Sequence, residues 1–182
     1  MDISGHIFDL NRLFLVVFLL AAAVSKSLHF ANFHAGLRDD FHVPANAAMA
    51  LAILIISVEL VIGLCLALYP PFYQGAFIVA FAMMLLFTCV IAWALINHRI
   101  IQCNCFGGKA ETVTHFDLGR NLITVGASMY GYYWISALVD GPVRTSSDDI
   151  AEYALKGMIA ICLAMLTINI RKVILLAAYK QK

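Results

Sequence analysis

Two cysteines one residue apart, Cys103 and Cys105 in the stretch "IIQCNCFGGKAE" at 100 to 111, are the side chains whose type and spacing could do covalent chemistry. At i and i+2 their Cα atoms can fall within the roughly 4.4 to 6.8 Å that a disulfide accepts, but the small ring restricts the favourable torsion. A strained disulfide is easily reduced, which suits a bond that opens and closes better than one that holds a fold. Gly107 and Gly108 allow positive φ beside the sulfurs, and Phe106 can anchor the loop. Exchange needs a thiolate, and nearby positive charge lowers a cysteine pKa from its free value near 8.5. Lys26, Arg120 and Lys109 are the candidates for that charge, against the blander reading that the first two only snorkel to headgroups and the third is solvated.

The other three cysteines differ in setting. Cys65, Cys89 and Cys162 sit inside "GLCLAL", "FTCVIA" and "AICLAM", where cysteine is usually a small inert hydrophobe. Glu59, in "ISVELVIG", is an ionisable group inside an apolar run and so a functional candidate. Along a straight helix it lies about 20 Å from the cysteine end, too deep for a direct pair with Lys26 unless its span starts late or tilts strongly. A protonated acid, or one bonded to Asn97 or Thr88, is therefore expected; a structural bond and a proton-linked role stand level.

These residues must be positioned by an apolar scaffold. Of 182 residues, 63% are hydrophobic and 13% charged, against about 25% charged in soluble domains. So short a chain cannot hide that excess in one core, which makes a lipid bilayer its solvent. A span needs roughly 20 mainly apolar residues, and five stretches qualify, near 12–31, 45–69, 72–98, 116–139 and 153–178. The first has a core of signal-peptide length, but "MDISGHIFDLN" before it carries two acids and no base, so it reads as a retained helix. Pro70 and Pro71 break the chain between spans two and three. A net charge of +1 leaves no basic stripe for a nucleic acid. Phosphate-binding glycine loops, hydrolase elbows and HExxH helices are absent from the sequence.

Alternating spans send His29, His34, His42, His98 and His115, with Lys26 and Arg120, to the end that carries the cysteines. Asp140, Asp148, Asp149 and Glu152 fall at the other end and read as a solvated loop, and the aromatics of "MYGYYW" as an interfacial belt. With five spans, nine Lys and Arg lie on the cysteine side and three opposite, which favours a cytoplasmic cysteine end. Soft thiolates beside imidazoles also open a second reading: copper or zinc held by Cys103, Cys105, His29, His34, His98 and His115, although the spacings match no standard zinc motif. A third makes the chain an accessory subunit of a larger membrane complex, with the last helix as its docking element.

"AVSKSLHFANF", "VELVIG", "CNCFGG" and "LGRNL" together resemble the MauE/DoxX-like membrane proteins over about 12 to 140. The resemblance implies an all-α polytopic bundle with a four-helix DoxX-like core at 12–140; the apolar run at 150–180 adds a further transmembrane helix, and 1–182 reads as one integral domain. It implies thiol–disulfide traffic in the maturation of a disulfide-containing protein. By motif position it carries Lys26, Glu59, Cys103, Cys105 and Arg120 over as site residues. Two departures stand out: Asn104 replaces the usual glycine between the cysteines, and the fifth helix carries the C-terminus to the opposite side. The leading expectation is a multi-pass protein of the bacterial inner membrane. It exchanges electrons through the Cys103/Cys105 pair with a thioredoxin-like or disulfide-containing protein, or with a quinone. Maturation of such a substrate places the cysteine end outside, where disulfides persist, against the charge count, so sidedness stays open.

Overall fold

A computed structural model describes residues 3–97, 113–137 and 150–169. Every regular element among them is helical: α1 (Ile3–Leu28), α2 (Phe30–Asp39), α3 (Ala45–Leu68), α4 (Tyr73–Ile96), α5 (His115–Ala137) and α6 (Ile150–Ile168). The segments Gly5–Leu28, Ala45–Leu68 and Pro70–Ile96 are long and apolar enough to cross a bilayer. The Pro70–Pro71 break is a single 3-10 turn, Pro70–Phe72, that reverses the chain between α3 and α4 as expected.

α1 is the hub, packed on α3, α5 and α6. Phe8, Arg12, Leu15, Leu19, Ala22 and Lys26 are all buried and recur at alternating steps of four and three, one continuous helical face. That helix begins at Ile3, well before the expected start near 12. The charges Asp9 and Arg12 lie on its buried side and are paired there, so they do not end the span.

Small residues set the closest approaches. A Cβ at Gly63 would lie 2.9 Å from Leu20 Cδ2, where α3 crosses α1, and one at Gly131 would overlap the Phe77 ring that α4 pushes against α5. Ala160 and Ala164, both fully buried, let α6 lie close to its neighbour α1.

One local feature departs from the expected connections. The stretch between spans one and two contains α2, whose Phe30, Phe33 and Leu37 share a side by the i, i+3, i+7 rule and which rests on α3. α5 opens with half of a capping box: the Thr114 N–H and the Thr114 hydroxyl both donate to Asp117 Oδ2, each at 2.9 Å.

Candidate functional site

Lys26 stands near the end of α1 and Glu59 past the middle of α3. Their side chains meet, with Nζ 2.6 Å from Oε1 and both groups sealed from solvent. The expected separation of about 20 Å is therefore overturned. It assumed that every helix starts at one level, but α3 projects beyond the end of α1 and is covered there by α2. The Lys26 side chain also leans back toward the N-terminus of its helix, into the bundle. Thr88 and Asn97, the partners expected for Glu59, instead bond the carbonyls of Met84 and Trp93 in their own helix.

Arg120 is buried one turn into α5, with Nη1 3.3 Å from Asp117 Oδ1. One carboxylate thus caps the helix and holds the arginine. The structure thus pairs Lys26 with Glu59 across α1 and α3 and buries Arg120 near the same end of the bundle on α5, which packs on α1. The phenyl rings of Phe33 and Phe87 flank the ammonium, their centroids 5.8 and 5.7 Å from Nζ.

Cys103, Cys105 and His98 lie outside the described residues. The chain leaves this end of the bundle at Asn97 and returns at Val113. His29 Nδ1 lies 3.1 Å from the Ser25 carbonyl and His34 Nε2 3.3 Å from that of Ala45; His42 has φ 56°, and His115 is exposed in the first turn of α5. No three His, Cys, Asp or Glu side chains form a metal-holding group among the described residues. On exposed α2, a hydrogen bond from Arg38 holds the Asp39 carboxyl below the usual range. Cys65 is half-buried, while Cys89 and Cys162 are exposed, all three as free thiols.

Sequence reasoning missed a second polar cluster at the far end of α1. Arg12 Nη1 donates to the Leu66 carbonyl and to the Tyr73 hydroxyl, both at 2.9 Å, and Nη2 to the Tyr153 hydroxyl at 3.2 Å. Asp9 bonds Lys156 at 3.2 Å, Lys156 bonds Glu152 at 3.0 Å, and Glu152 meets His6 at 2.9 Å. Glu152 is thus part of a network tying α6 to α1, a correction to its reading as a member of a solvated loop. The signal was present in the spacing: Asp9 and Arg12 at i, i+3 fall in register with the apolar stripe, and Glu152 and Lys156 are an i, i+4 pair.

The model of the methylamine utilisation protein MauE family matches residues 4–134, which takes in α1 through most of α5. The chain belongs to the MauE family. Its relative in Paracoccus denitrificans, "Methylamine utilization protein MauE", is 28% identical over 120 residues, 65% of this chain and 64% of that protein. The match thus spans a little under two thirds of the curated relative's length. No solved structure matches this MauE-family chain.

Proposed function

We propose that this MauE-family chain is a membrane thiol–disulfide redox protein that serves the maturation of a disulfide-containing protein in methylamine utilisation. Cys103 and Cys105 alternate between dithiol and disulfide. A thiolate attacks a partner's disulfide, a mixed disulfide forms, and the second thiol resolves it, so the partner gains the two electrons and two protons that the pair gives up. In the reverse direction the pair oxidises a partner dithiol. The partner is a thioredoxin-like or disulfide-containing protein.

The observation that carries this reading is the burial of two cations, Lys26 and Arg120, near the bundle end that the chain leaves at Asn97 and re-enters at Val113. Buried positive charge there favours a thiolate over a thiol. Glu59 and Asp117 offset it in part, which keeps the site foldable and provides an acid–base group beside it.

The architecture proposed with this function is a single integral domain of the bacterial inner membrane. Its four-helix core is α1, α3, α4 and α5, and α6 is the additional span. The test is alkylation trapping of Cys103 and Cys105 in membranes after mild reductant and after mild oxidant, with an impermeant reagent reporting the side of the membrane. The expected result is a pair that changes state with each treatment and forms a trapped mixed disulfide when one cysteine is replaced by serine. A pair whose state never changes under either treatment would sink the proposal.

A further inference from the structure

The Lys26 ammonium of α1 is met from three other helices. Glu59 Oε1 of α3 accepts one of its three N–H groups at 2.6 Å, and among the described residues no other oxygen accepts a second. Lys26 is sealed from solvent, so water does not make up the difference. In the place of further oxygens stand two rings, Phe33 of α2 and Phe87 of α4, with centroids 5.8 and 5.7 Å from Nζ. Both distances fall inside the limit of about 6 Å at which a ring face attracts a cation, an attraction that grows when the cation is stripped of water.

Leucine would fill either place as oil does, but it lacks the negative quadrupole of a ring face. The setting shows why that matters. Phe33 and Phe87 also line an apolar cavity between α2, α3 and α4 to which neither Lys26 nor Glu59 contributes, so the two rings form the wall between the charge and an oily space. Elsewhere that wall is mostly aliphatic, as at Leu54, Val58, Val79 and Leu86. The contact also gives α2 a purpose: no residue of this helix is buried, yet it rests on α3 and brings Phe33 to the ammonium.

We infer that Phe33 and Phe87 are positioning residues of the thiol site, their ring faces holding the Lys26 ammonium charged and fixed beside Glu59. A fixed ammonium is a standing counter-charge for a thiolate, and the rings act through it. Their part in thiol exchange rests on the redox reading proposed above; the contact between rings and ammonium rests on the geometry alone.

The test replaces Phe87, and in a parallel series Phe33, of the full chain in nanodiscs with mono-, di- and trifluorinated phenylalanine. These keep the shape of the ring while weakening the negative potential of its face step by step. The thermal unfolding midpoint is expected to fall with each fluorine in the parent and to stay level in Lys26→Met/Glu59→Leu, where no cation faces the ring. The alkylation rate of the reduced Cys103/Cys105 pair at neutral pH is expected to fall about fivefold across the series in the parent, and to ignore it in the double variant. A midpoint series with the same slope in both backgrounds would report packing alone and overturn the inference. Midpoints that fall only in the parent while alkylation stays constant would overturn the rings' part in thiol exchange. A cysteine pair that never changes state sinks the redox reading instead, and the midpoint series still decides the contact between rings and ammonium.

Discussion

Arg12 and Lys26 lie on the same buried face of α1, about 21 Å apart along the helix, each drawn into its own polar network at opposite ends of the bundle. The apolar side chains between them, Leu15, Leu19 and Ala22, isolate one network from the other. α1 therefore takes part in two sites whose perturbations should be separable.

At the Lys26 end, removing one partner leaves a charge buried without compensation, which costs about 3–5 kcal/mol, whereas replacing both with apolar groups is close to neutral. Glu59→Gln or Lys26→Met alone should lower the thermal unfolding midpoint in detergent sharply, and Lys26→Met/Glu59→Leu should recover most of the loss. A double variant as unstable as the singles would show that the two residues are not energetically coupled.

At the Arg12 end, Tyr73→Phe removes one hydroxyl that accepts from a buried guanidinium, a loss of about 1–3 kcal/mol. Lys156→Met strips Asp9 of a partner and should loosen α6 from α1, seen as faster protease cleavage in the 138–149 connection. Since Asp9, Arg12 and Lys156 are buried, salt should change their contribution little.

The helical membrane bundle was legible in the sequence because long apolar runs leave a chain of this size few alternatives, and the double-proline reversal because proline cannot continue a helix. α2 was harder to see because its short amphipathic pattern lies in what reads as a connector, though Phe30, Phe33 and Leu37 carry the period. The Lys26–Glu59 pair was not legible, because distance along each helix does not reveal how far neighbouring helices are offset along their axes. Lys26 and Arg120 were found from their place near the cysteine end of their spans and from the positive charge a thiolate needs, while Asp9 was passed over because charges ahead of an apolar run usually belong to water.

The contact between Gly131 and Phe77 gives a prediction about packing alone. α4 and α5 approach so closely that Phe77, itself fully buried, occupies the space a Cβ on residue 131 would need. Gly131→Ala should therefore destabilise the protein by about 1–3 kcal/mol through overpacking, despite the higher helix propensity of alanine. The Phe77 ring also rests against Phe8 of α1, with ring centroids 6.0 Å apart, so it cannot retreat freely. Phe77→Leu in the Gly131→Ala background should restore part of the lost stability, although Phe77→Leu alone opens a cavity and is destabilising. Unfolding midpoints of the two singles and the double decide the matter: additive losses would mean that ring and glycine do not share the same space.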